Sequence, residues 1–455
     1  MWHRGAMDVD VVVIGLGPGG ESAATQLAQA GLEVAAIDEH LVGGECPYYG
    51  CIPSKMMIRA ANALAEGRRV GELAGDAVIT PDWKPVALRI RDEATDDWDD
   101  QVAVDRLQDA GVTFVRGHGR LTGPRTVEAR GQSFTARRGV LLNTGTEPAV
   151  PPVDGLAGTP YWTNRDAVRV TDLPASLVVI GGGAVGAELC QVFARFGVQV
   201  TLLEVADRIL APEEPEASAL VADAFGREGI QVLTGVHIER VTYADGRFTV
   251  TVGEQQLYGD KLLVATGRRT NIGDLGLDTA GLDPSARSVA VDERMRAAEG
   301  LWAIGDITGK GGFTHVSMYQ AAIAVADILD REGPAADYRA VPRVTFTDPE
   351  VGSVGITEQQ ARDQGLRVRV GLTDLTTSSR GWIHGVGNDG LVKLVEDADR
   401  GVLVGATSAG PTGGEVLSML TTAIHAQVPT ATLRSMIYAY PTFHRAVEDA
   451  LAKLA

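Results

Sequence analysis

The sequence predicts an α/β fold in three parts. Two strand–glycine turn–helix–strand units are nested, the second inserted into the chain of the first, and a C-terminal α+β region follows. Three observations predict it. One glycine-rich pattern occurs twice, starting at Gly15 and at Gly181. Proline- and glycine-marked turns bracket the second copy. From about Ala340 onward the pattern changes to short alternating strands and a closing helix.

The first copy opens on an apolar run, Val11, Val12, Val13 and Ile14. It continues through Gly15-Leu16-Gly17-Pro18-Gly19-Gly20 and a helical pattern from Ser22 to Ala30. A second apolar run, Val34 to Ile37, closes on Asp38. The second copy runs Leu177 to Ile180, then Gly181-Gly182-Gly183-Ala184-Val185-Gly186, then a helical stretch from Ala187 to Phe196. Val198 to Leu203 follows, closed by Glu204. In both copies the acid stands 23 residues after the first glycine. One such turn is weak evidence, because glycine-rich turns also occur in unliganded α/β folds. Two with the same acid spacing, each in a βαβ frame, mark two Rossmann-like dinucleotide sites. Gly15 and Gly181 permit the tight turn, and Gly17 and Gly183 let backbone approach a pyrophosphate. Gly20 and Gly186 allow close helix–strand packing. The helix N-terminus then faces the phosphate charge, and the acid accepts hydrogen bonds from ribose hydroxyls.

Pro148, Pro151 and Pro152, after Asn143-Thr144-Gly145, mark a domain crossing, and Ala265-Thr266-Gly267 closes the second unit. Leu301-Trp302-Ala303-Ile304-Gly305-Asp306 precedes a predicted helix from Met318 to Leu329. In the last region the alternation of Leu366, Val368 and Val370 with Arg367 and Arg369 predicts a strand. Leu391 to Val395 reads as another, and a final helix spans Phe443 to Leu454 with Thr442 as its N-cap. The segments are therefore 1–150 and 273–338 for the first dinucleotide-binding domain, 151–272 for the second, and 339–455 for the α+β domain.

Length, charge and cysteine use narrow the function. The 455 residues suggest about three domains. A formal net charge of −18 repels phosphate backbones and anionic lipid, so neither nucleic acid nor membrane is an expected partner. No apolar run approaches the roughly 18 residues that span a bilayer. Met1 to Met7 lacks the apolar stretch of a signal peptide, and Met7 is an alternative start. The expected location is cytoplasmic. Three cysteines make no disulfide scaffold, and a close pair in a cytosolic chain reads as catalytic or metal-binding.

Cys46 and Cys51 form that pair, in Cys46-Pro47-Tyr48-Tyr49-Gly50-Cys51, and Ile52-Pro53-Ser54-Lys55 opens a helix. A sulfur near a helix N-terminus has its thiolate stabilised, as a redox cysteine requires. The other readings are half of a zinc site or two buried thiols. Zinc needs two further ligands, and no second cysteine pair or closely spaced histidine pair follows, so no metal is expected. Cys190, on the apolar side of the second glycine-turn helix, reads as a small core residue.

Gly43-Gly44-Glu45-Cys46 through Cys51-Ile52-Pro53-Ser54-Lys55 closely resembles the active-site stretch of the class I pyridine nucleotide–disulfide oxidoreductases. This is the group of dihydrolipoamide dehydrogenase, glutathione reductase and mercuric reductase. The likeness covers essentially the whole chain. Thr144-Gly145 and Ala265-Thr266-Gly267-Arg268 are similar to the family's crossing turns, and Ala303-Ile304-Gly305-Asp306 to its second FAD motif. Phe346-Thr347-Asp348-Pro349-Glu350 with Val354-Gly355 resembles the opening of its dimerisation domain.

The resemblance implies a flavoprotein that carries electrons between a nicotinamide nucleotide, FAD and the cysteine pair. Cys51 would be the thiol beside the flavin and Cys46 the interchange thiol facing the substrate. Lys55 would pair with Glu188 next to the flavin ring. The plain alternative for these two is a pair of helix-surface charges. The first glycine motif, with Pro18, Gly19 and Asp38, would hold FAD, and Asp306 its ribityl chain. The second motif, with Ala184, Val185 and Glu204, would hold the nucleotide. Glu39, Gly44, Glu45, Gly119, Thr144, Gly145, Thr314, Val236, Gly267 and Arg268 complete the implied cofactor-binding set. A carboxylate at Glu204 suits a ribose 2′-hydroxyl and repels a 2′-phosphate, so NAD(H) is expected over NADP(H). Arg208 lies too far along to match the basic pair of NADPH-specific relatives. The family also implies a homodimer through the C-terminal domain.

The chain departs from the family pattern at its C-terminus. Typical members end in His-Pro-x-x-x-Glu, a pair that handles the proton of the interchange thiol. Here Tyr440 stands in the His place and Arg445 in the Glu place, around Pro441-Thr442. An ordinary phenol is only about 0.1% ionised near neutral pH, so it is a poor base. Arg445 against Tyr440 would favour a phenolate, and His444 is the other candidate base, its plain reading being a surface residue at a helix start. Pro47, Tyr48 and Tyr49 make the surroundings of the cysteines bulky and aromatic. No cysteine follows Cys190, whereas mercuric reductases carry a C-terminal pair. Three functions stay open: reduction of a disulfide or other small thiol-reactive acceptor, reduction of quinones, electrophiles or metal ions with the cysteines only storing electrons, and slow redox sensing.

Overall fold

The computed structural model describes residues 7–454. Apart from Met7, the segment Met1 to Met7 considered above lies outside the described residues. Two compact units account for the chain. One comprises residues up to Pro53, Leu88–Ala149 and Arg268–Tyr338; the other comprises Ser54–Ala87, Val150–Gly267 and Arg339–Ala455.

The first unit is built on an eight-stranded sheet. β1 (Met7–Ile14) runs parallel between the strand Gln132–Leu142 and β2 (Val34–Asp38), after the helix α1 (Pro18–Gln29). Leu301–Ala303 and Thr113–Arg116 extend the parallel set on either side. β1 is a run of β-branched residues because both its faces are covered. Val11 and Val13 pack into one cluster with Ala23, Ala24 and Leu27 of α1 and with Ala321, Ala324 and Ile328. Val12 and Ile14 pack into the opposite cluster with Leu121, Val127 and Phe134. After β2 come the short helix α2 (Glu45–Tyr48) and the helix α3 (Cys51–Leu73), which begins in this unit and continues into the other.

The second unit repeats the pattern on a smaller scale. β3 (Ser176–Ile180) lies parallel between Lys261–Val264 and β4 (Gln199–Leu203), with α4 (Ala184–Arg195) between β3 and β4 in sequence. A three-stranded antiparallel sheet spans Arg240 to Gly259. From Pro342 onward the same unit carries a five-stranded antiparallel sheet. It packs Val392, Leu394 and Ala406 against Leu417 and Leu420 of α5 (Gly413–His425) and Val447 and Leu451 of α6 (Arg445–Ala452).

Three local expectations shift. The helix read as starting at Met318 starts at Thr314. Its first turn holds a single apolar residue, Val316, too little to show a periodicity. The strand read from Leu366 to Val370 spans Val368–Asp374. Leu366 is occupied in closing the preceding helix, its N–H bonding the Ala361 carbonyl after Gly365 turns at φ +77°. The last helix begins at Arg445 with His444 as its N-cap, not Thr442. The Thr442 hydroxyl instead donates back to the Ala439 carbonyl at 2.8 Å, a local bond that competes with capping. No helix among the described residues is long and apolar enough to cross a membrane.

Candidate active site

The two glycine turns are built alike. Gly15 sits at φ +90°, and a Cβ on it would lie 2.4 Å from the Asn143 carbonyl oxygen; Gly181 sits at φ +108°, with the Ala265 carbonyl oxygen at 2.3 Å. A side chain is excluded at both by conformation and by contact. Gly17 and Gly183 cap α1 and α4 without a side-chain hydrogen bond, which leaves the first N–H groups of both helices without a side-chain cap.

The two acids also act alike. Asp38 accepts the Leu16 N–H at 2.6 Å and the His40 N–H at 2.7 Å on its two oxygens. Glu204 accepts the Gly182 N–H at 2.6 Å and the Ala206 N–H at 2.8 Å. In each unit the acid ties the residue after the first glycine to its own following turn. Burial raises the Asp38 carboxyl above its usual range, against the pull of those two N–H groups. The Arg208 guanidinium is turned away, donating to the Ala211 carbonyl at 2.7 Å.

A polar chain in the first unit joins four residues. Thr146 donates to Asp306 at 2.6 Å, Arg268 donates to the Thr146 hydroxyl at 2.6 Å, and Arg268 lies 3.4 Å from Glu45. The antiparallel pair Thr146–Pro148 and Arg268–Thr270 brings them together. Thr146 is absent from the sequence-derived set. Its only signal is a position immediately after Thr144-Gly145.

Cys46 lies in α2, and Cys51 is the first residue of α3, its Sγ 3.6 Å from the Thr314 hydroxyl. Tyr48 turns inward and is buried, its carbonyl accepting the Trp98 indole N–H at 3.0 Å; Pro47 and Tyr49 stay half-buried. Burial pushes the Tyr48 phenol up to about 12. Cys190 is fully buried and burial raises its thiol, so it is inert.

Lys55, one turn into α3, pairs with Glu188 of α4 at 2.8 Å. Glu188 is only 6% exposed at its side chain, and its other oxygen accepts the Phe346 N–H at 2.9 Å. The Lys55 ammonium also lies 4.6 Å from the centre of the Phe346 ring. These are not two free helix-surface charges: the carboxylate is buried, the ammonium is half-buried, and a third segment holds the pair. Phe346 is a further residue that sequence reasoning did not place here.

Other sequence-derived residues play smaller parts. Thr144 donates to the Asn271 carbonyl at 2.7 Å, and the Gly145 carbonyl accepts the Asn271 N–H at 3.0 Å. The Val236 N–H bonds the Glu204 carbonyl at 3.2 Å. Gly119 is pressed against Ile14 and Ile37. Glu39 points to the surface, 3.4 Å from His118. At the C-terminus Tyr440 is 67% exposed, and the Arg445 guanidinium lies over its ring at 5.5 Å while pairing with Glu448 at 2.9 Å. His444 is exposed and stands just ahead of α6.

Comparison with known proteins follows the same lines. Residues 9–325 match the model of the pyridine nucleotide-disulphide oxidoreductases, and residues 341–451 match the dimerisation domain of that family. A dihydrolipoyl dehydrogenase of Thermus scotoductus is 35% identical over 98% of this chain and 97% of its own. A mercuric reductase of Acidithiobacillus ferrooxidans is 32% identical over 96% of this chain and 80% of its own. Among solved structures, the Cu(II) complex of the HOCl-induced flavoprotein disulfide reductase RclA from Escherichia coli superposes with a TM-score of 0.86 at 26% identity, covering 98% of this chain and 99% of that one. The chain therefore belongs to the pyridine nucleotide–disulphide oxidoreductase family and is an FAD-dependent oxidoreductase.

Proposed function

We propose that this enzyme reduces a disulfide or another small thiol-reactive acceptor with electrons from NADH, by way of FAD and the pair Cys51 and Cys46. The observation that carries the reading is the placement of Cys51 at the first position of α3, one turn before a lysine paired with a buried glutamate. A helix N-terminus favours a thiolate there. On this reading residues 1–150 and 273–338 hold FAD, 151–272 hold the nucleotide, and 339–455 form the dimer contact.

The residues present fit FAD. α1 presents N–H groups at a glycine cap, and Gly44 approaches Gly17 so closely that a Cβ would lie 2.9 Å from its Cα. Asp38 suits a ribose and Asp306 a polyol chain. Bound there, FAD supplies two-electron transfer between a nicotinamide and a disulfide. The protein's own part is to hold charge and sulfur. Glu188 fixes the Lys55 ammonium, and Thr314 lies against the Cys51 sulfur. The Cys46 thiolate attacks one sulfur of the acceptor disulfide, forming a mixed disulfide and releasing one thiolate. The Cys51 thiolate then attacks the Cys46 sulfur, which restores the internal disulfide and releases the second thiolate.

Glu204 supports NADH, because its carboxylate faces a 2′-phosphate with repulsion while Arg208 is committed to its own loop. A two-fold homodimer is supported by the C-terminal match and by the exposed apolar side chains Trp382, Ile383, Met436 and Ile437 in that region. Anaerobic NADH titration tests the central claim. A long-wavelength thiolate–flavin band at two electrons is expected, and its absence overturns the disulfide mechanism.

One observation favours a second reading. Tyr440 and Arg445 stand where an acid-held imidazole would handle protons, which suits an acceptor that needs no such relay: a quinone, an electrophile or a metal ion. Relatives that include a mercuric reductase and a Cu(II)-bound reductase support it. Cys46→Ser separates the two readings, since it abolishes disulfide reduction but spares quinone reduction.

A further inference from the structure

The pair of half-buried Lys55 and buried Glu188 is the first rung of a longer polar ladder. On α3, Lys55, Asn62 and Arg69 recur every seven residues and so share one face. On α4, Glu188, Gln191 and Arg195 likewise share a face, and all three are buried. Lys55 bonds Glu188, Arg195 bonds the Asn62 side-chain oxygen at 2.6 Å, and Arg69 reaches Asp348 at 2.7 Å.

The third strand of the ladder is the segment Phe346 to Asp348. Its backbone is clamped at both ends: the Phe346 N–H on Glu188 at 2.9 Å and the Asp348 N–H on the Gln191 oxygen at 2.7 Å. The Gln191 amide returns a bond to the Asp348 carbonyl at 2.8 Å. The Asp348 carboxylate receives both Arg195 and Arg69 at 2.7 Å, and Arg195 is itself held by Glu228 through two bonds. Every long polar group on this face has a partner, which is the condition for a buried polar network to specify one geometry. By contrast, the Phe346 ring and N–H touch both members of the Lys55–Glu188 pair. Any shift of Asp348 therefore moves the two contacts that fix the pair.

The structure assigns Phe346, Gln191, Arg195, Arg69 and Asp348 as positioning residues that set the orientation of the Lys55 ammonium through Glu188, coupling the start of the C-terminal domain to the charge beside the flavin. This rests on the reading of Lys55 and Glu188 as the pair next to the flavin. The part of the positioning residues is to hold the pair within the narrow geometry that charge stabilisation requires.

Asp348→Asn and Gln191→Met test it in the FAD-loaded enzyme, with Glu188→Gln as the reference. Asp348→Asn keeps shape and removes the charge. Gln191→Met removes both bonds to Asp348 and a third to Glu228 at 3.0 Å but leaves every charge, so it decides the matter should the first variant fail to fold. The readouts are the flavin midpoint potential and the anaerobic rate of NADH-driven flavin bleaching per bound FAD. Both variants are expected to shift the potential in the direction of Glu188→Gln and to slow bleaching about tenfold, since displacement of roughly an ångström costs up to about a hundredfold. The NADH concentration for half-saturation should stay within about twofold, because ground-state binding is untouched. A lowered melting temperature and FAD content with parental potential and bleaching rate would overturn the proposal while leaving the reading of the pair intact. Should Glu188→Gln itself leave both readouts unchanged, the pair is not beside the flavin, and both claims fall together.

Discussion

Arg445 lies over the ring of Tyr440, its guanidinium carbon 5.5 Å from the ring centre, and its charge is shared with Glu448 at 2.9 Å. The two residues standing at the places of the family's proton-handling pair thus do meet, but as a cation on an aromatic face. That contact orders an exposed side chain, and an ordinary phenol is a poor base near neutral pH. A positioned general base contributes about 10²–10⁴ in rate. The double variant Tyr440→His with Arg445→Glu is therefore expected to raise kcat for a small disulfide by about tenfold or more. Tyr440→Phe should leave it within about twofold of the parent. Steady-state assays with NADH and a disulfide panel decide this; a large loss in Tyr440→Phe would show that the phenol does take part.

Glu204 accepts one N–H from the glycine turn and one from Ala206, so its carboxylate is held at a fixed place at the end of β4. Glu204→Gln keeps one acceptor oxygen and removes the charge. A hydrogen bond to a charged group contributes about 1.5–3 kcal/mol, so kcat/KM for NADH should fall about tenfold. The value for NADPH should rise or hold, because the repulsion of a 2′-phosphate is gone. Unchanged selectivity between the two nucleotides would show that Glu204 does not face the ribose.

The glycine turns, their acids and the cysteine segment were legible in the sequence because each is local. Gly15 and Asp38 share one βαβ unit, and Cys46, Cys51 and Lys55 share ten consecutive residues. The environment of Lys55 was legible only in part: the family resemblance implied its pairing with Glu188, and nothing pointed to Phe346. Glu188 lies 133 residues beyond Lys55, and Phe346 lies 158 residues beyond Glu188, steps that no periodicity connects. Thr146, Arg268 and Asp306 meet only because two crossing strands pair antiparallel. The misplaced cap at Thr442 has a different cause. A threonine hydroxyl ahead of a helix can accept a helix N–H or donate to a nearby backbone carbonyl, and here it donates backward to Ala439.

Asp348 gives stability a definite pH dependence. Burial alone would raise its carboxyl, but Arg195 and Arg69 more than offset that and hold it below the ordinary 3.8. A group depressed in the folded state adds stability that is fully present above its unfolded pKa and lost as pH falls through the folded value. The difference in melting temperature between parent and Asp348→Asn should therefore stay constant from neutral pH down to about 4 and narrow below it. Calorimetry across that range checks it, and a gap that widens on acidification would contradict the assignment.

Lys393 fixes the C-terminal sheet to the segment that follows β4 in the same unit. Its ammonium, 3% exposed, lies 3.0 Å from Glu214, 2.8 Å from Glu216 and 2.9 Å from Glu358. Glu214 is equally buried and also accepts the Glu358 N–H at 2.7 Å. Lys393→Met keeps the packed stem and removes the charge, so three carboxylates are left facing one another. Removing one partner of a buried pair costs about 3–5 kcal/mol, most of it from the uncompensated charge left behind. A loss of that size is expected in urea unfolding, with the flavin bleaching rate per folded molecule unchanged. The double variant Lys393→Met with Glu214→Gln should recover part of the loss, because it removes the carboxylate that has least access to water. A single-variant loss below about 1 kcal/mol would mean that water reaches the cluster and screens it as it does a surface pair.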